Sequence, residues 1–199
     1  MSGQQQIMYG AVVCVEAEVT GDVKIGTKTI IHPCAKIIAK NGPILIGDFN
    51  IIEELTTIIN WSTDTMVIGS NNVFEVGSTV LAKSVGDNNV FETKCFVGEE
   101  IVVPSGCMFG AATRVGSTTH NNSSTTTSRE DKEPGAESGE EIAETSLPEN
   151  SVFYGVPWKH RIAGEKPAPQ LLQIDFLAKV LPNYHHVYTM KKEAQEENK

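Results

Sequence analysis

The side chains of this 199-residue chain that could do chemistry are five histidines, four cysteines and three regularly placed glutamates. Histidine titrates near neutrality, so it suits a general base or a metal ligand. Thiols suit metal binding, disulfides or nucleophilic attack. Cys14, Cys34, Cys95 and Cys107 show no C-x-x-C spacing and read as reduced thiols, neither a zinc site nor a disulfide frame. The histidines are His32, His120, His160, His185 and His186. Glu53, Glu75 and Glu92 each close an asparagine-led run: Asn50-Ile-Ile-Glu53, Asn72-Val-Phe-Glu75 and Asn89-Val-Phe-Glu92.

What positions these groups is a β body. The chain is 40% hydrophobic, enough for a real core. Its 36 valines and isoleucines outnumber 8 leucines, and branching at Cβ favours a pleated strand. Four of the eight leucines (Leu171, Leu172, Leu177, Leu181) crowd into one C-terminal stretch, which reads as a helix. A net charge of −9 argues against nucleic-acid binding, because phosphate contacts need a basic face. No apolar run approaches membrane-spanning length. The opening Met-Ser-Gly-Gln-Gln-Gln lacks the basic and apolar regions of a signal peptide, so an intracellular protein is expected.

The strands follow a period of six. Ile7, Val13, Val19, Ile25, Ile31 and Ile37 keep that spacing strictly, as do Val85, Phe91, Val97, Val103, Phe109 and Val115. The pattern returns between them, with shifts of phase, at Ile46, Ile52, Ile58 and then Ile68, Phe74, Val80. Neither a helix nor an alternating strand has this period. A coil of three short strands and three corners does: the large residue fills a triangular interior, and glycine after it eases the turn. The Asn-aliphatic-Glu runs recur at steps of 22 and 17 rather than 18, placing an outward insertion near Trp61 to Thr65. Asn50, Asn72 and Asn89 are then expected to stack inward, amide on amide, at the spacing of about 4.8 Å between coils.

Four segments follow. Residues 1–116 form the coils. Residues 117–146, with seven acids against two bases and few apolar side chains, read as a disordered acidic insertion loop. Residues 147–163 make a final coil and exit sequence. Residues 164–199 make a Pro-bearing linker, a helix and a tail. In the helix, Leu171, Ile174, Phe176, Leu177, Val180 and Leu181 form an apolar stripe expected to lie along the coil wall, with Pro182 as the stop.

The period resembles that of the hexapeptide-repeat proteins over residues 7 to 115. That resemblance implies a single-stranded left-handed parallel β-helix, here with a C-terminal α-helix. Acyltransferases of this kind use a histidine base between the subunits of a trimer. His32, at the second position of a hexad and expected to point outward, is the candidate base of that alternative reading. His120 falls in the insertion, His160 in the exit sequence, and His185 and His186 after the helix. The γ-class carbonic anhydrases hold zinc with three histidines; in hexad register those positions fall at Ile59, with Asn60 adjacent, and near Val76 and Leu81, none suited to the metal. No catalytic, cofactor-binding or metal residue is expected.

A narrower resemblance rests on Gly42-Pro-Ile-Leu-Ile-Gly47, Asn50-Ile-Ile-Glu-Glu54, Asn71-Asn-Val-Phe-Glu-Val-Gly77, Gly86-Asp-Asn-Asn-Val-Phe-Glu92, Leu171-Leu-Gln-Ile-Asp-Phe-Leu177 and Leu181-Pro-Asn-Tyr-His-His186. These are similar to the family of small hexapeptide-repeat subunits of the dynactin pointed-end complex. Membership would imply a non-enzymatic structural subunit, cytoplasmic and cytoskeleton-associated, supporting dynein-based transport and cargo binding. Its partners would be a second β-helix subunit and other pointed-end subunits, including the actin-related protein, with neither nucleic acid nor membrane insertion. Two candidate partner surfaces follow: an outward acidic ladder of Glu53, Glu75 and Glu92, whose repulsion a basic partner would relieve, and the aromatic side chains Trp158, Phe176 and Tyr184.

Overall fold

A computed structural model describes residues 5–117 and 147–188. The expected acidic insertion (all but Ser117) and the tail from residue 189 lie outside the described residues. The chain winds as a left-handed parallel β-helix of about six turns. The first wall stacks Gln5–Ile7, Val23–Ile25, Ile44–Ile46, Met66–Ile68, Ser84–Val85 and Val102–Val103 in parallel. The third stacks Glu18–Thr20, Lys36–Ala39, Thr57–Asn60, Thr79–Val80, Phe96–Val97 and Arg114–Val115. The second runs from Val12–Cys14 through Ile30–Ile31, Ile51–Ile52, Val73–Phe74, Val90–Phe91 and Met108–Phe109 to Ser151–Tyr154.

In every wall the large hexad residue faces inward and pairs with its equivalent one coil away. On the second wall Val13, Ile31, Ile52, Phe74, Phe91, Phe109 and Phe153 are successive register partners. The four phenylalanines are fully buried and stack nearly flat, with centroids 4.6, 5.0 and 4.8 Å apart. Trp158 closes the stack edge-on to Phe153 at 5.8 Å.

Glycine at the second hexad position does not make the turn, except at Gly116, whose φ is 86°. Gly47 has an ordinary φ; a Cβ there would lie 2.7 Å from the Gly69 carbonyl of the next coil, and one on Gly26 would lie 2.3 Å from that of Gly47. These glycines let the coils approach. The turn falls two residues later, where Lys28, Phe49, Asn71 and Asn88 adopt φ between 54° and 59°.

The asparagine ladder points inward but bonds differently from expectation. Asn50 Oδ1 accepts the Asn72 backbone N–H at 2.8 Å, Asn72 Oδ1 that of Asn89 at 2.9 Å, and Asn89 Oδ1 that of Cys107 at 2.7 Å. An amide-to-amide bond is formed between Asn89 and Asn72, at 3.0 Å. The corners leave backbone donors buried, and satisfying them outranks pairing side chains with each other. The 61–65 insertion is tied down by Asn60, whose Nδ2 donates to the carbonyls of Pro43 and Asp64.

Both edges of the second wall are closed by antiparallel strands, Lys159–Ile162 on the last coil and Val187–Tyr188 on the first. An unclosed parallel edge would offer a row of free N–H and C=O groups. Helix α1 (Leu171–Tyr184) lies over the outer face of this wall. Ile174 and Leu181 are buried against Val12, Ile30 and Ile51, with Leu177 and Ala178 packed beside them. Phe176 does not join that face: it is 62% exposed, and Leu172 is 88% exposed. At 100° per residue, positions 174, 177, 178 and 181 form the buried stripe, which leaves 172 and 176 on the far side. Nor does Pro182 stop the helix, which runs two residues further; a proline near the end forfeits a single intrahelical bond.

Candidate functional site

The chemistry-bearing residues meet where the second wall turns into the third. Cys14, His32, Glu53, Glu75 and Glu92 each follow an inward wall residue, and the register stacks them in one column. Their outward direction does not leave them all in solvent. Strand Val187–Tyr188 pairs over Cys14, which is wholly buried. His32 is 7% exposed, against the expectation of a surface corner, and its neighbour Ile30 lies in the cluster that α1 covers.

His32 Nδ1 lies 2.9 Å from Glu54 Oε1, while its Nε2 is buried with no hydrogen-bond partner. Burial raises the Glu54 carboxyl, but the bonds from His32 and from its own backbone outweigh it and leave the group below the ordinary value of 4.5. Glu53 next door moves the other way. Burial lifts it, Glu75 and Glu54 add repulsion, and the Val76 N–H and His32 only partly offset them. The Cys14 thiol is pushed up to about 11 by burial and by the nearby Glu16 and Glu54 carboxylates. A histidine between a carboxylate and a thiol has the composition of a relay. A general base must nonetheless reach a substrate proton, and this imidazole spends one nitrogen on Glu54 and buries the other. A thiol held protonated near neutral pH is a poor nucleophile. What this corner does chemically is fix its own coils.

The glutamate ladder does the same. Glu53 Oε2 accepts the Val76 N–H at 3.1 Å, Glu75 Oε2 the Thr93 N–H and hydroxyl at 3.0 and 3.1 Å, and Glu92 Oε2 the Ala111 N–H at 2.9 Å. Each carboxylate thus clamps the next coil, so its charge is compensated within the chain by a backbone dipole. The opposite corner has an alternating counterpart, in which Asp48 and Asp87 accept from the Thr27 and Ser70 N–H groups at 2.6 Å.

The structure brings Glu53, Glu75 and Glu92 together in this column. Phe176 and Tyr184 share the exposed side of α1, 62% and 79% accessible. Trp158 stands apart from both, partly buried at the end of the phenylalanine stack. His160 is exposed beside it, and His120 lies outside the described residues. His185, expected away from the coils, reaches Glu16 of the first coil at 3.4 Å. Sequence reasoning missed Glu54, Glu16 and the Lys28–Asp175 ion pair at 3.1 Å, all of which position the C-terminal segment or His32. The hexad register places Glu53 one coil above His32, and so its neighbour Glu54 within reach. The ion pairs span more than 140 residues and leave no periodic signal. Among the described residues no three His, Cys, Asp or Glu side chains converge to hold a metal, and no helix is long and apolar enough to cross a membrane.

No protein-family model matches the chain. Individual relatives do. It is 43% identical over 196 residues to dynactin subunit 6 of Xenopus tropicalis, covering 93% of this chain and 85% of that protein. It is 45% identical over 193 residues to dynactin subunit 6 of Nematostella vectensis, covering 92% and 91%. The Danio rerio dynactin subunit 6 is 42% identical over 194 residues, covering 92% and 86%. Among solved structures, a hexapeptide transferase family protein from Anaplasma phagocytophilum superposes with a TM-score of 0.61 at 17% identity, covering 92% of this chain and 89% of that one. At that identity the likeness shows the β-helix and carries no activity. Similarity above 40% that runs through both the coils and the C-terminal segment is more specific, and by it the chain belongs to the dynactin subunit 6 family.

Proposed function

We propose that this chain is a non-enzymatic structural subunit of dynactin, seated in the pointed-end subcomplex that supports dynein-based transport and cargo binding. The observation that carries the reading is its likeness to dynactin subunit 6 proteins across at least 92% of its length in three animals. The burial of His32 supports the non-enzymatic part, since the acyltransferase alternative needs that imidazole at a solvent-filled groove. In this reading the protein is cytoplasmic and cytoskeleton-associated. Its neighbours are a second β-helix subunit and other pointed-end subunits, including the actin-related protein.

A β-helix suits such a role because successive coils form a stiff prism with flat walls. The surface we assign to partners is the exposed side of α1, with Phe176 and Tyr184 as anchors, because aromatic side chains dominate interface energetics. The outer carboxylate oxygens of Glu53, Glu75 and Glu92 form a second, electrostatic contact for a basic partner. Trp158 lies at the closed end, where a partner capping the prism would meet it.

Gel filtration of native cell extract, followed by mass spectrometry of the fraction holding this chain, tests the reading. Co-elution at the megadalton scale with actin-related and dynein-associated chains is the expected result. A peak at about 65 kDa, three times the 21.6 kDa chain, without other proteins would overturn it in favour of a homotrimer.

A further inference from the structure

We infer that α1 and strand Val187–Tyr188 form a strap that opens from the second wall as one unit while the coils stay folded, baring Cys14 and the Val12–Ile30–Ile51 column.

The strap is held far more lightly than the coils hold each other. Within the coils every strand between the first and last of a wall is paired on both sides, and the asparagine, aspartate and glutamate ladders satisfy corner donors. Along the strap, α1 buries two side chains, Ile174 and Leu181, with Leu177, Ala178 and Val187 packed around them. Its two ion pairs, Lys28–Asp175 and His185–Glu16, join side chains that are all at least 33% exposed, where solvent screens them. The helix begins at Gln170 without a side-chain cap, has no acid in its first turn, and carries Pro182 in its last turn. The closing strand is two residues long. Segments with few buried contacts and short edge pairings open locally before the whole molecule unfolds. The linker at 164–170 is largely exposed and contains Pro167 and Pro169.

The four cysteines report on this opening from three depths. Cys34 is exposed at a corner. Cys14 is buried beneath the strap, as the register partner of Val187. Cys95 and Cys107 belong to the interior of the coils. While the strap is shut, burial and the Glu16 and Glu54 carboxylates hold the Cys14 thiol near 11, and burial holds Cys95 near 12. Neither reacts in that state; release restores Cys14 alone to an ordinary thiol.

This deepens the proposed function in one respect that rests on it: Phe176 and Tyr184 face outward on the strap, so a partner gripping them would hold it shut. The strap itself is tested without any partner. The full chain is pulsed with iodoacetamide under native conditions and each cysteine is quantified by peptide mass spectrometry. The expected order is Cys34 first, Cys14 next at a rate at least about tenfold above Cys95 and Cys107, which await global unfolding. Leu181→Ala should raise the Cys14 rate more than about tenfold and leave Cys95 and Cys107 unchanged. Asp175→Ala, a milder change at an exposed pair, should raise it by about two- to fivefold. Cys14 labelled in step with Cys95 and Cys107 in the unmodified chain, or all three accelerated equally by either substitution, would overturn the strap. A partner that leaves Cys14 labelling unchanged would remove only its link to the proposed function.

Discussion

The Glu75 carboxylate reaches one coil up to receive both the backbone N–H and the hydroxyl of Thr93, at 3.0 and 3.1 Å. Glu53 and Glu92 repeat the contact on Val76 and Ala111, so a column of like charges becomes a set of inter-coil clamps. Glu75→Ala leaves the Thr93 donors without their acceptor and should cost about 1–3 kcal/mol. Glu75→Gln keeps an oxygen there and should cost about 1 kcal/mol or less. Urea unfolding of the two variants separates these outcomes, and equal losses would mean that charge rather than hydrogen bonding holds the column.

Phe91 sits between Phe74 and Phe109 in a stack that runs the upper length of the prism. Truncation to alanine leaves a cavity that neighbours in register on both sides cannot fill. Phe91→Ala should therefore destabilise by about 3–5 kcal/mol. Phe176→Ala, on the solvent side of α1, should stay within about 0.5 kcal/mol in the isolated chain. If Phe176→Ala unfolds the chain as readily as Phe91→Ala does, the outer face of α1 is core and its role as a partner surface fails.

The inward face was legible because it depends on spacing alone. A residue every six places can face the interior only if each third of a turn repeats, so Ile31, Ile52 and Phe91 could be named before any coordinates. His32 was misplaced for the opposite reason. Its strand neighbour Ile30 packs with Ile174 and Leu181 from far later in the chain, which no local period records, and its own ring pairs with Glu54 of the next coil. The helix stripe was half legible: the apolar residues were visible, but which of Ile174 and Phe176 faces the wall depends on how α1 is rotated when it docks. The hexad glycines were noticed and given the wrong task, since a sequence shows that Cβ is missing without showing what occupies its place.

The asparagine ladder ends at Cys107, whose N–H is capped by Asn89 but whose side chain offers no carbonyl to the next coil. Above it, Ser151 Oγ is buried without a partner. Cys107→Asn restores an acceptor at the ladder position and should stabilise by about 1 kcal/mol, raising Tm by roughly 2–4 °C. Calorimetry gives the sign directly. A fall in Tm would show that the pocket around Cys107 lacks room for the amide.

Glu53 and Glu54 predict opposing pH dependences at one corner. The folded-state pKa of Glu54 is depressed, so its contribution is present above the ordinary value of 4.5 and disappears as pH falls through the lower folded value. That of Glu53 is raised, so its contribution is present below the ordinary value and is lost as pH rises through the higher folded one. Replacing Glu54 with Gln should flatten the acid side of the stability profile, and Glu53→Gln should remove the loss on the way up towards neutrality. Urea midpoints measured between about pH 3 and 7 for the two variants check both signs. Two profiles that change in the same direction would be inconsistent with the His32–Glu54 bond as the cause.

The clamp also determines how the acidic ridge must be tested as a partner surface. Charge reversal would break the Val76, Thr93 and Ala111 bonds together with any external contact, so lost assembly would prove nothing about the partner. The triple change Glu53→Gln, Glu75→Gln, Glu92→Gln keeps an acceptor oxygen at each clamp and removes three charges. If a basic surface docks on the ridge, this variant should fold with a near-normal melting profile and bind its partner complex about tenfold or more weakly at low salt, with a shallower dependence on ionic strength. Affinity and salt slope both unchanged would leave the ridge with its internal work alone, and would place the docking energy on the Phe176 and Tyr184 side of α1.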